Sequence, residues 1–316
     1  MRFIFSLRAA CAAVAVAGAA MIGAPAAQAT TTGSQTKYPI VLVHGFMGFD
    51  NILGIQYFYN IPPSLRKDGA AVYIASVNPS QTTELRGEEL VRQLQQWAAI
   101  DGVKKFNLIG HSHGGPTVRY AAGVVPSIIA SVTTVGGAHF GSKVADGILA
   151  GITPGGAFDQ AATFSLKLIA WLSGNSTYEQ ANLMAALETL STPRSAEFNA
   201  KFPAGAPTSI CGQGPEVASV NGNSIRWYSI SGTAVKTNSW DISDYLLSYS
   251  GDYFKGEAND GLVSQCSSHW GKVIKDNYHW NHLDEINQVL GTIGKSDPDP
   301  VAFYKQQASR LKGLSL

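Results

Sequence analysis

Charge is scarce in this chain. Only 14% of its 316 residues are Asp, Glu, Lys or Arg, and 23 basic residues nearly cancel 22 acidic ones. That balance gives no footing for nucleic acid as a partner. Cysteine is scarcer still, at three. Beyond the N-terminal segment no apolar run is long enough to span a membrane, and no internal repeat or low-complexity linker divides the chain. These absences leave one large globular unit.

What is present begins with a sorting signal. Arg2 and Arg8 precede a run of small and apolar residues that ends at Ala27-Gln28-Ala29. This is the three-part pattern of a secretory signal peptide with an A-x-A cleavage site. The competing reading is a membrane anchor, but a run rich in Ala and Gly is short for a span of ~20 strongly apolar residues. Cleavage after Ala29 leaves about 290 residues, ample for a single α/β domain. It removes both arginines, so the mature charge becomes about −1. It also removes Cys11. The remaining Cys211 and Cys266, in an exported chain, read as one disulfide rather than two buried thiols.

Short apolar runs alternate with helical patterns along the chain. "YPIVLV" (38–43), "AVYIASV" (71–77), "KFNLIG" (105–110), "IIASVTTVG" (128–136) and "IRWYSIS" (225–231) read as buried strands. Residues 83–99 carry Leu90, Leu94 and Trp97 on one helical stripe. A helix is predicted after Gly115, another beginning near His282, and a closing amphipathic one over 299–313. The alternation predicts an α/β fold with a parallel sheet covered on both faces. Between about Gly141 and Gly205 the pattern changes to apolar helical stretches broken by Gly and Pro. Phe164, Leu168, Trp171 and Leu172 form one stripe there, which suits either a core helix or a mobile cover over an active site.

One motif carries chemistry. Gly110-His111-Ser112-His113-Gly114 is a G-x-S-x-G that follows a predicted strand and opens a predicted helix. Its bland reading is a tight turn with a surface serine, and the strand-to-helix context favours a nucleophile. The sharp turn strains the serine backbone, and glycine two residues to either side avoids collision. A tetrahedral oxyanion needs main-chain donors, which places the His113 N–H in one position and the Phe46 N–H of "HGFMG" in the other. One such donor contributes on the order of 3 kcal/mol to the transition state. His111 and His113 flank Ser112 on a tight turn, so their rings diverge from its hydroxyl. The base therefore comes from later in the chain, in the order Ser, acid, His. His139, His269, His279 and His282 are the candidates. Asp241, Asp244, Asp252, Glu257, Asp260 and Asp276 are the candidate acids. Asp260, in "ANDGLVS", is expected on a loop after a strand. Residue patterns alone do not choose between His279 and His282.

Longer stretches are more specific. "YPIVLVHGFMGFDNILG", "NLIGHSHGGPTVRY", "FNAKFPAGAPTSICG", "ANDGLVSQCSSH" and "DNYHWNHLDEINQV" closely resemble the secreted Pseudomonas and Burkholderia true lipases of the α/β-hydrolase superfamily, and the likeness covers essentially the mature chain. The resemblance implies an α/β-hydrolase fold with a helical lid over roughly 146–176. It implies Ser112 as nucleophile, His282 as base and Asp260 as orienting acid, and it pairs Cys211 with Cys266. It further implies one structural Ca2+ held by the carboxylates of Asp241 and Asp284 and by main-chain carbonyls near Gln288 and Thr292, an oxygen-only set suited to a hard cation. Asp241 taken alone reads as a helix N-cap. The implied activity is hydrolysis of triacylglycerols at an oil–water interface by a secreted enzyme, with a dedicated foldase chaperone acting during export. Two alternatives stand beside it: a polyester depolymerase or general carboxylesterase with the same triad, and a non-catalytic binding protein on a hydrolase fold. The chain departs from the family at Gly136-Gly137-Ala138-His139-Phe140-Gly141-Ser142, where a proline is common, and across Asp146 to Ser176. The second departure leaves chain-length preference open.

Overall fold

Four buried residues, Ile40–Val43 (β1), sit at the centre of the architecture. Their side chains alternate in direction. Ile40 and Leu42 join one apolar cluster, and Val41 and Val43 join another on the opposite face. A strand buried on both faces needs helices on both, and that is what surrounds it. In the computed structural model, the described residues are 33–46, 48, 51–52, 55–151 and 180–316. The predicted signal segment, and the part of the expected lid from 152 to 176 with Phe164, Leu168, Trp171 and Leu172, lie outside them.

The strands after β1 are the short hairpin Asn51–Ile52 (β2) and Ile55–Gln56 (β3), then Val72–Ala75 (β4), Phe106–His111 (β5), Ile129–Val135 (β6), Val217–Val220 (β7), Asn223–Gly232 (β8) and Lys272–Tyr278 (β9). The main sheet has seven strands and runs β4-β1-β5-β6-β8 with every neighbour parallel. On the far edge of β8, β7 pairs antiparallel with its first half and β9 parallel with its second. The helices are Ile61–Lys67 (α1), Thr83–Asp101 (α2), Gly114–Val124 (α3), Lys143–Leu149 (α4), Gln180–Thr189 (α5), Thr192–Lys201 (α6), Ile242–Gly251 (α7) and Pro300–Gly313 (α8). α2 and α3 cover one face through Leu90, Leu94 and Val118; α1 and α8 cover the other through Ile61, Leu65, Phe303 and Tyr304. Local signals bound these helices. Thr82 caps α2 by accepting the Leu85 N–H, and Gly102 ends it with φ 66°. Asp299 caps α8, with Pro300 in its first turn.

The five predicted strands and the helices over 83–99 and 299–313 are present. Three expectations need correction. No helix begins at His282: only the short turn Asp284–Ile286 forms, because Asn287 (φ 60°) and Leu290 (φ 55°) take left-handed backbones that a helix cannot hold. Asp260 lies on a loop, but the loop follows α7 and the turn Asp252–Phe254 rather than a strand. β7 and β9 have no counterpart in the pattern reading, since both are edge strands with exposed and half-buried residues instead of an apolar run.

Cys211 and Cys266 are bonded to each other across 55 positions of sequence. The bridge ties the loop before β7 to the loop before β9. Closing a loop of that length in the unfolded chain is worth about 3–4 kcal/mol. Replacing both cysteines by serine is expected to lower stability by that order in urea or thermal unfolding. An unchanged midpoint would contradict a structural role for the bridge.

Candidate active site

β5 turns directly into α3 at Ser112, whose φ is 55°. A non-glycine residue in that region stores strain, and here the surroundings impose it. The Ser112 N–H donates to Val135 O and its carbonyl accepts from Gly115 N–H, both at 2.9 Å. A Cβ on Gly110 would lie 2.2 Å from Gly114 O, and one on Gly114 would lie 2.3 Å from Val43 O. Both glycines of the motif are thus required by backbone packed on backbone. Ser112 is 9% exposed, at the C-terminal edge of the parallel strands.

The two N–H groups expected to face an oxyanion are present and uncommitted. Neither Phe46 N–H nor His113 N–H makes a hydrogen bond among the described residues. The loop carrying Phe46 is held by a residue that the sequence reading missed. Buried Arg86 donates to His44 O and Asn78 O at 2.6 Å each, and to Thr117 Oγ1 at 3.2 Å. A single arginine inside a helix gives no pattern signal, so only the fold reveals it.

The histidines separate cleanly. His282 Nδ1 lies 2.8 Å from Asp260 Oδ2, and His282 N–H donates to Asp260 O at 2.8 Å. Asp260 is fully buried, and its Oδ1 accepts from the Leu262 and Val263 N–H groups at 2.9 and 2.7 Å. Among the described residues, the buried His282 Nε2 has no hydrogen-bond partner. His279, in contrast, pairs with Asp297 at 2.8 Å, its side chain 61% exposed. His269 contacts Asp276, and His139 contacts Thr134 and Arg119.

The histidines beside Ser112 have other partners. His111 Nδ1 meets Tyr57 Oη at 2.7 Å, and its Nε2 lies 3.0 Å from His282 O and 3.2 Å from Glu285 Oε2. His113 Nε2 meets Thr83 Oγ1 at 2.9 Å. Burial holds both rings well below the usual histidine range, so they are neutral. Glu285 was not singled out from sequence, although it sits three residues after His282. It is fully buried, accepts the Gly232 N–H at 2.6 Å, and is pushed well above the carboxylate range by burial and by the charge of Asp260.

A second oxygen-rich set lies beside the His282 loop. Asp241 caps α7 through Oδ1, which accepts the Ser243 N–H at 2.7 Å; its Oδ2 is buried without a partner. Asp284 Oδ2 accepts from Asn281 N–H and Thr237 Oγ1 at 2.9 and 2.8 Å, and its Oδ1 is also buried without a partner. The carbonyls of Gln288 and Thr292 accept no hydrogen bond among the described residues. The Gln288 side chain turns away, to Gln56 O and Tyr57 O.

Comparison with known proteins follows the same lines. The profile of the family described as "alpha/beta hydrolase fold" matches residues 38–203. A triacylglycerol lipase of Vibrio cholerae is 49% identical over 288 residues, covering 90% of each chain. One from Burkholderia plantarii is 38% identical over 94% of this chain and 92% of its own. One from Pseudomonas fragi is 37% identical over 89% and 98%. The chain belongs to the α/β-hydrolase family of bacterial triacylglycerol lipases. Among solved structures, lipase 1 of Pelosinus fermentans superposes with a TM-score of 0.63 at 19% identity, over 89% of this α/β-hydrolase and 100% of that chain. At that identity the likeness speaks for the fold alone.

The elbow geometry has a direct test. Gly114→Ala places a methyl group against the Val43 carbonyl with no flexible side chain to yield. It is expected to cost about 3 kcal/mol, the upper end of the usual overpacking range, read by thermal unfolding of purified protein. A wild-type melting temperature in this variant would contradict the packing described.

Proposed function

We propose that the protein is a secreted serine hydrolase that cleaves triacylglycerols to fatty acids and glycerides. The observation that carries this reading is the His282–Asp260 pair, whose outer nitrogen has no partner among the described residues, in a fold that strains Ser112 beside two N–H groups that are likewise uncommitted among them. The names of the relatives supply the substrate class. In this reading Ser112 Oγ attacks the ester carbonyl while His282 Nε2 takes its proton. The Phe46 and His113 N–H groups receive the oxyanion. The imidazolium returns its proton to the departing alcohol, and a water deprotonated by the same nitrogen releases the fatty acid. Asp260 holds the Nδ1–H tautomer and stabilises the imidazolium. Export through the signal segment 1–29 and assistance by a foldase complete the proposal. No helix among the described residues is long and apolar enough to cross a membrane.

Two assays separate this from its alternatives. Ser112→Ala is expected to lower kcat on emulsified long-chain triglyceride by about 10⁴-fold or more, with folding retained. Unchanged turnover would refute the mechanism. Greater turnover on an aliphatic polyester film than on the emulsion would move the substrate to polyesters.

Calcium fits the second oxygen set. Two partnerless buried carboxylate oxygens and two free carbonyls make an all-oxygen donor group of the kind that holds a hard cation. Asp241, Asp284, Gln288 and Thr292 would hold it, and its charge would fasten the N-terminus of α7 to the loop after His282. Burial raises Asp241 to about 6 and Asp284 to about 7. Without a cation, the folded state binds more protons than the unfolded one between the ordinary carboxylate range and those values, so stability falls as pH rises through that window. A chelator is therefore expected to lower the melting temperature clearly near about pH 8 and much less near about pH 5, where protons compete with the metal. Identical melting curves with and without chelator at the higher pH would exclude the site.

A further inference from the structure

Arg119 lies roughly two helical turns beyond Ser112 on α3 and is 2% exposed. Its guanidinium stacks 3.3 Å from the centre of the Trp270 ring, with Phe198 at 5.0 Å. It donates through Nη2 to Phe202 O at 2.8 Å and contacts His139 Nδ1 through Nη1 at 3.3 Å. These use two of its five N–H groups. Among the described residues Nε has no partner and Arg119 forms no ion pair. A buried cation without a counter-charge is costly, and burial alone already pulls this guanidinium well below its ordinary range.

Beside it opens a cleft of about 480 Å³ that the proposed mechanism does not use. Arg119 forms part of its wall, together with Phe202, Val220 and Trp227 on the apolar side and Lys201 and Ser219 on the polar side. The indole Nε1 of Trp227 is a second buried donor with no partner. The cleft thus sets two cationic side chains and an unpartnered indole N–H beside the apolar side chains of Phe202 and Val220. That pairing matches an anionic head on a hydrocarbon tail.

We propose that this cleft binds the carboxylate of a medium-chain fatty acid, with the head between Arg119 and Lys201 and the chain along Phe202, Val220 and Trp227. A carboxylate would supply the missing counter-charge and an acceptor for guanidinium N–H groups that the fold leaves unused. The choice of a fatty acid among carboxylates rests on the proposed lipase reading, since that reaction releases one. Ser112, His282, Asp260, Phe46 and His113 are all absent from the lining of the cleft.

The test begins with Ser112 blocked by a long-chain p-nitrophenyl phosphonate, which occupies the catalytic site. Failure of this labelling would count against the proposed reaction rather than against the cleft. Octanoate and acetate, both below micelle-forming concentrations, are then titrated into the labelled protein. Binding is followed by calorimetry and by the ¹³C carboxyl resonance. Octanoate is expected to fill one saturable site at least about tenfold more tightly than acetate, and Arg119→Gln is expected to weaken it by a similar factor. Because Arg119 is buried and its replacement can destabilise the fold, Ser219→Trp, which fills the cleft from its exposed rim, is the companion variant with the same expected loss. Absence of octanoate binding to labelled wild type would overturn the proposal. So would equal affinity for acetate, or unchanged binding in Ser219→Trp whatever Arg119→Gln does.

Discussion

Ser112 holds a left-handed backbone because β5 must become α3 with no loop between them. The consequences spread outward from that turn. The start of α3 is pressed against β1 so closely that Gly114 has the Val43 carbonyl where a side chain would begin. Gly45, on the loop after β1, faces Ser112 Cβ and Tyr57 Oη in the same way. The loop bearing Phe46 and the turn bearing Ser112 are therefore locked together by backbone packing before any chemistry is considered. Such contacts have little freedom to relax, which is how a strained conformation persists in a folded protein.

The second half of the site arrives from more than a hundred residues further along the chain, and it is secured differently. The Asp260 and His282 loops are irregular, so no ladder sets their spacing. Two hydrogen bonds, one main-chain and one between side chains, join the same two residues. One bond would set distance; two also set orientation, which is what an imidazole must have to act on a fixed hydroxyl. The His282 carbonyl rests 3.0 Å from His111 Nε2, on the residue before Ser112. His111 thus serves as a strut between the two halves, in keeping with a ring that packs and supports the turn rather than acting as a base.

Much of this was legible in the sequence, and the limits have physical causes. Strands buried on both faces announce themselves as apolar runs, and the G-x-S-x-G reports a steric constraint that few residues satisfy. The edge strands β7 and β9 lack that signal because solvent takes one side. The segment after His282 carries helical spacing, yet it is bent by left-handed residues at Asn287 and Leu290, a tertiary demand that overrides local preference. Residue patterns left His279 and His282 open, since both sit in one short polar stretch, and the fold sets them apart by pairing His282 with Asp260 and His279 with Asp297. Arg86, Tyr57 and Glu285 stayed invisible. A buried polar residue is recognised by its partners, and those partners lie 8, 31 and 42 positions away for Arg86, 54 for the His111 partner of Tyr57, and 53 and 174 for Glu285.

A chain with so few charges buries several of them, and the way each is satisfied separates structural groups from ligand-seeking ones. Arg86 and Arg119 are the same residue type at nearly the same burial. Arg86 spends Nε, Nη1 and Nη2 on three different protein acceptors, so its charge is spread over carbonyl and hydroxyl dipoles and it works as a clamp. Arg119 leaves Nε empty and borders open volume. The acids divide in the same way. Asp260 has His282 and two main-chain donors, whereas Asp241 and Asp284 each keep one oxygen unpartnered. The unfilled hydrogen-bonding positions of Asp241, Asp284 and Arg119 are what the two proposals for bound ligands rest on.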